Sequence, residues 1–343
     1  MIETLERFLQ AEWENFCPHH RPPRHVRAAL LSSSRDRDGT RVVLVFGDGR
    51  PHPALVAKIP RQPTGAARLE REWRLLQHVW QSLPQKARRG VPEPLCMTTV
   101  RGMPVFVQRA LRGYNLKTLI QRGIRAFVPG RMAADLMHMS RWLARFQNAR
   151  PPDSSPPGLS IPRHPPLVTR MAQAKARLVD TGMITRFQFE RLVDQASDLD
   201  ALSQTSPSCW VHGDLWPGNV LEDRGRWGII DWDGVSIGPG WYDRLWFALH
   251  LAAMYRSRRS GEPDLRRCLN QVFSSRTGAE SLHRFLSAPV VPARPAGPSY
   301  RVALTVLLAV LAAEVAAGRP TRQILPLEAP NLLQLSLRSG SDH

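Results

Sequence analysis

Residues 211–233 read VHGDLWPGNVLEDRGRWGIIDWD, and this stretch constrains the chain more than any other. Asp214 and Asn219 lie five apart in a segment punctuated by Gly213, Pro217 and Gly218, so both belong to a loop. The apolar run Trp227 to Ile230 reads as part of a short hairpin, and Asp231 stands at its end. Any one of these polar residues alone is an ordinary turn or cap former. As an ordered set with His212 they are more: two carboxylates and an amide, all hard oxygen donors, spaced by defined backbone.

That equipment suits transfer of a γ-phosphoryl group, which asks a protein to orient a hydroxyl, hold metal and offset charge. In the protein-kinase loop HRDxxxxN the Asp takes the hydroxyl proton and the Asn five residues on holds a metal ion. Asp214 and Asn219 have that spacing, and Asp231 stands where the kinase DFG aspartate binds Mg²⁺. At these residues the chain resembles the aminoglycoside phosphotransferase and choline kinase superfamily, whose signature is HGDxxxxN followed by an (I)D(W/F)(D/E) segment. HGDLWPGN is also similar to the fructosamine kinase loop. The resemblance implies an α+β, bilobal protein-kinase-like fold. Residues 1–108 would form an N-lobe with a small antiparallel sheet, and residues 109–343 a mainly helical C-lobe with the catalytic loop. It further implies Asp214 as base, Asn219 and Asp231 as metal ligands, ATP and Mg²⁺ as cofactors and, as acceptor, a hydroxyl of a small molecule such as a sugar, an amino-alcohol or a related metabolite. Asp233 stays open between a second ligand and a turn residue, and His212 packs or hydrogen-bonds beneath the loop. Asp243 matches the family's aspartate that holds the catalytic loop from the following helix.

Upstream, Val26 to Leu31, Arg41 to Phe46 and Ala54 to Ile59 read as strands of an antiparallel meander, the last two separated by Gly47-Asp48-Gly49. Lys58 ends Leu55-Val56-Ala57-Lys58, which is very like the kinase VAIK segment whose lysine reaches the α/β-phosphates. Its partner is expected on the helix Gly65 to Val79, where Glu72 is the first candidate because Glu72-x-x-Leu75 resembles the family pattern, and Glu70 is the fallback. Serines replace the glycines of the kinase phosphate loop, and Ser33 and Ser34 are the expected donors there. After Val91-Pro92-Glu93-Pro94 a further hairpin is expected, and its end, Pro104 to Gly113, resembles the hinge, where backbone groups of Gln108 to Ala110 would meet the adenine edge. Beyond Asn115 the pattern is helical: Leu116 to Arg122, Met132 to Ala149, Leu167 to Asp180 and Thr185 to Leu202.

The formal net charge of +18 raises nucleic acid, a membrane surface or an anionic substrate as partners. Only Lys58, Lys86, Lys117 and Lys175 among the 47 basic residues are lysines, an arginine bias that codon drift would produce. No RNA- or DNA-recognition motif is visible, which sets nucleic acid aside, while an anionic membrane surface stays open. Four cysteines without framework spacing fit a reducing compartment, and the acidic amphipathic N-terminus lacks a signal-peptide pattern, so a cytoplasmic location is expected. The 16-residue apolar run Val302 to Ala317 holds Glu314 and is too short to span a bilayer, so it reads as a buried helix, preceded by the Pro-rich connector Ala288 to Pro298. A catalytically idle module that binds nucleotide and an anionic partner is the rival outside the enzyme class. Within it, a fructosamine-kinase-like or antibiotic-modifying kinase competes. Sequence alone leaves the acceptor and the oligomeric state open.

Overall fold

The computed structural model describes residues 2–18, 22–33, 39–125, 128, 130–149, 151, 159–205 and 208–260, with Val306 and Ala309 beyond them. Ser34, the connector 288–298 and the expected helix 302–317 lie outside the described residues, except that Val306 and Ala309 are helical and buried. The first elements in chain order are α1 (Ile2–Ala11), α2 (Trp13–Phe16), β1 (Arg27–Ser33), β2 (Thr40–Phe46), β3 (Leu55–Pro60), α3 (Ala66–Ser82), α4 (Gln85–Arg88), β4 (Pro94–Val100), β5 (Met103–Arg109) and β6 (Tyr114–Asn115). There follow α5 (Leu116–Gln121), α6 (Arg131–Gln147), α7 (Leu167–Lys175), α8 (Arg186–Thr205), β7 (Cys209–Val211), β8 (Val220–Asp223), β9 (Arg226–Ile229), β10 (Ser236–Gly238) and α9 (Trp241–Ser260). Packing divides the chain into two compact units, Met1–Tyr114 with Pro152–Ile161 and Asn219–Val235, and Asn115–Pro151 with Pro162–Gly218 and Ser236–His343.

The first unit is built on a five-stranded antiparallel sheet in the order β1-β2-β3-β5-β4. The three-strand meander read from the β-branched runs is therefore part of a larger sheet. After β3 the chain runs through α3 and enters the sheet again at its far edge as β4, and the β4–β5 hairpin then brings β5 against β3. The turns of this hairpin and of β8–β9 use the same device: Arg101 and Gly102 have φ of 50° and 75°, Arg224 and Gly225 48° and 82°. Two successive positive φ values match the right-handed twist of the flanking strands. Alternation along the strands sorts the two faces. Val43, Val45, Leu55, Ala57, Val105 and Val107 pack with Leu5, Leu9, Trp13 and Phe16 of α1 and α2. Each such large apolar side chain contributes about 2 kcal/mol of burial. Lys58 projects to the opposite face, toward α3, where Leu69, Glu72, Leu76 and Val79 recur at spacings of three and four as the buried stripe.

In the second unit β7 pairs antiparallel with β10, Ser236 opposite Val211 and Gly238 opposite Cys209. His164 N–H donates to Ile237 O at 2.7 Å and Ile237 N–H to Pro162 O at 2.8 Å, tying the segment before α7 to this ribbon. Asp200 of α8 caps α7, its two carboxylate oxygens each accepting a backbone N–H, from Leu167 and Val168, at 2.9 Å. The expected helix Leu167 to Asp180 is α-helical only to Lys175; Ala176–Asp180 widens into a π turn that seats Leu178 in the core. Asp135 of α6 is fully buried and accepts from Arg125 and, at 2.6 Å, from the Tyr255 hydroxyl of α9, so its charge is paired where water is excluded. Among the described residues no helix is long and apolar enough to cross a membrane, and Cys17, Cys96 and Cys209 are free thiols.

Candidate active site

In the first unit the central strand β3 supplies Lys58, flanked in register by Val42 on β2 and Phe106 on β5. Lys58 is 5% exposed, and its ammonium pairs with Glu72 of α3 and lies 3.1 Å from Asp231 Oδ1. Glu70 lies at the surface and pairs with Arg74, so the chain has brought Glu72, two residues on and about 200° round the helix, to the lysine. Burial works against the Lys58 charge, but the carboxylates of Glu72, Asp231 and Asp233 outweigh it and hold the group protonated above its ordinary range. Burial pushes the Glu72 carboxyl up, with Lys58 pulling it back. A cation fixed in this way is a preorganised partner for anionic oxygens.

Asn219 and Asp231 stand at the two open ends of the β8–β9 hairpin. Ile230 N–H donates to Asn219 O at 3.0 Å, which closes the hairpin between them. Asn219 is buried, whereas the Asp231 side chain is half exposed and its backbone holds φ of 68°, a left-handed conformation that costs a non-glycine residue about 1 kcal/mol or more. Asp233 pairs with Arg68 of α3 at 2.5 Å, so this residue has a charge partner rather than only a turn role. Gln108 is buried at the end of β5, and Ala110 N–H donates to Ala54 O at 3.0 Å. That amide is therefore taken up, which leaves any contact of Ala110 with a nucleotide edge to its carbonyl. Ser33 is the last residue of β1, opposite Arg41.

The second unit carries Asp214 on the loop that leaves β7. His212 is fully buried, and its Nδ1 accepts the Asp214 N–H at 3.3 Å. Asp243, in the first turn of α9 and fully buried, accepts His212 N–H at 2.7 Å and Gly213 N–H at 3.0 Å, one on each oxygen. Burial pushes its carboxyl up to about 7, with those two amides and Arg244 opposing. Gly213 holds φ of 84°, a left-handed conformation that a residue with a Cβ adopts only under strain. Further along the loop, Asn115 donates through its side chain to Gly218 O, and Lys117 Nζ sits 5.1 Å from the Trp216 ring centroid. Sequence reasoning missed Arg68, Asn115 and Lys117. For Lys117 the rarity of lysine was a usable signal; the other two have no local one.

A family profile for the phosphotransferase enzyme family matches residues 34–273, more than half of the chain. The chain belongs to that family. This phosphotransferase matches no curated protein sequence. Among solved structures it is similar to a thermostable mutant of aminoglycoside phosphotransferase APH(4)-Ia in ternary complex with AMP-PNP and hygromycin B: 14% identity, 99% of each chain covered, TM-score 0.59. It is also similar to a choline/ethanolamine kinase family protein from Mesorhizobium loti, with 13% identity, 100% of this chain and 96% of that one covered, and a TM-score of 0.54. A choline kinase from Cryptosporidium parvum gives 11% identity, 92% and 90% coverage and a TM-score of 0.53. At such identities these likenesses speak to fold, and the fold of the phosphotransferase is the α+β kinase-like one.

Proposed function

We propose that this phosphotransferase moves the γ-phosphoryl group of ATP, with Mg²⁺, to a hydroxyl of a small neutral or anionic molecule such as a sugar or related metabolite. The observation that carries the reading is the buried Lys58 ammonium held between Glu72 and Asp231, in a chain of this family. The residues fit the metal: Asn219 and Asp231 offer side-chain oxygens from adjoining ends of one hairpin, the hard donors a hard cation takes. Among the described residues no cluster of three His, Cys, Asp or Glu forms an all-protein cage, and Mg²⁺ characteristically relies on one or two protein oxygens plus phosphate and water. When bound, the ion offsets charge on the phosphate oxygens.

In this reading Asp214 takes the acceptor's hydroxyl proton as its oxygen bonds to phosphorus and the bond to the ADP oxygen breaks. Lys58 meets phosphate oxygens, and Glu72 positions Lys58 without touching the nucleotide. Gln108, the Ala110 carbonyl and the backbone about Ser33 and Ser34 complete the nucleotide contacts. Residues 1–108 supply the nucleotide side, residues 109–343 the catalytic loop and acceptor side, and the enzyme works in the cytoplasm. The AMP-PNP and ADP named in complexes of similar proteins support the choice of nucleotide. Asp214→Ala and Asp231→Ala are each expected to abolish turnover, and only Asp231→Ala to weaken Mg²⁺-dependent nucleotide binding, read by calorimetry. Wild-type-like turnover by Asp214→Ala sinks the assignment.

A further inference from the structure

The first unit holds a cavity of about 390 Å³ whose basic side chains the phosphoryl-transfer reading does not use, although Ala110, given a nucleotide contact above, is one of its wall residues. Cys17, Arg50, His52, Arg109 and Arg112 line it, with Pro51 among the apolar walls. Strand alternation separates it from Lys58. Val105 and Val107 pack with α1 and α2, and Arg109, two further along β5, meets Phe16 and Cys17 on that same side; Lys58 projects to the other.

Arg109 is anchored rather than free to turn. Its Nε bonds Glu93 at 2.7 Å, its Nη2 the Phe16 carbonyl at 3.0 Å, and its Nη1 approaches Cys17 Sγ at 3.9 Å. Arg50, His52 and Arg112 have no side-chain hydrogen bond or ion pair among the described residues, although all three are exposed and line the same hollow. No carboxylate lines the cavity, and Glu93, behind Arg109, balances only one of three guanidinium groups. Like charges gathered in a concavity focus a positive field, and a guanidinium fork matches phosphate oxygens two at a time.

We propose that this cavity is an anion site for a small phosphate-bearing ligand, held by Arg50, Arg112 and His52 against the fixed Arg109, on the sheet face opposite Lys58. Pyrophosphate, titrated calorimetrically at physiological salt, is the probe. Arg50→Gln with Arg112→Gln is expected to raise its Kd at least tenfold while ATP turnover stays at the wild-type level. Arg141→Gln with Arg191→Gln removes the same charge from exposed sites on α6 and α8, and it is expected to change the Kd less than twofold. Equal losses in the two double variants reduce the effect to net charge and overturn the site, as does an unchanged Kd in the first. Citrate binding as tightly as pyrophosphate overturns the phosphate preference. The outcome does not depend on Asp214 or Asp231, so the anion site and the phosphoryl-transfer reading stand or fall separately.

Discussion

A lysine that is 5% exposed sits in this chain only because two carboxylates face it. Removing one partner from a buried pair leaves an uncompensated charge and costs about 3–5 kcal/mol, less where a second partner remains. Asp231 is half exposed and 3.1 Å away, so Glu72→Gln is expected to lower stability by about 2–3 kcal/mol in urea unfolding. Lys58→Met in that background is expected to cost clearly less than in the wild type, because the ammonium and its penalty leave together. Strict additivity of the two changes would falsify the pairing as an energetic unit.

At the scale of elements, one aspartate ties the exit of β7 to the start of α9. The native pKa of Asp243 is raised, to about 7, above its ordinary 3.8, so the folded state binds this proton more tightly than the unfolded one. Its contribution to stability is thus fully present below about pH 4 and is lost as pH rises through about 7. Asp243→Asn abolishes the titration and also turns one amide N–H toward a side-chain NH₂, a cost of about 1–2 kcal/mol. The stability gap between wild type and variant is therefore expected to narrow from pH 5 to pH 8, as urea unfolding at the two pH values would read. A gap that widens means that the His212 and Gly213 amides overcome burial and hold the carboxyl low. Much of this level was legible in the sequence, since the periods of β2, β3, α3 and α6 are local signals. β4, with Cys96, Thr98 and Thr99 in its run, has weak periodicity of its own and was legible only as the first arm of the hairpin expected after Pro94. The insertion of β5 between β3 and β4, the pairing of Asp135 with Tyr255 and the engagement of the Ala110 amide are long-range choices that no window of residues displays. Glu72 over Glu70 was readable from the family pattern. Structure adds the reason, since one faces the sheet and the other water.

At the scale of the molecule the excess of 18 positive charges bears on what can approach as acceptor. A polycation such as kanamycin meets net repulsion, whereas neutral or anionic acceptors do not. Within the second unit Lys117 points the same way: it lies over Trp216, two residues past Asp214, and has no ion-pair partner among the described residues. The hygromycin B named in the complex of a 14% identical protein belongs to a chain whose acceptor region need not share this charge. Kanamycin is accordingly expected to support ATP consumption with kcat/KM at least tenfold below that of the best neutral or anionic acceptor. Ionic strength separates the causes. The screening length falls from about 10 Å at 0.1 M salt to about 3 Å at 1 M, so a deficit set by charge narrows as salt is raised. A deficit that holds constant across that range belongs to the shape of the acceptor pocket, and efficient kanamycin phosphorylation at low salt refutes the charge argument outright.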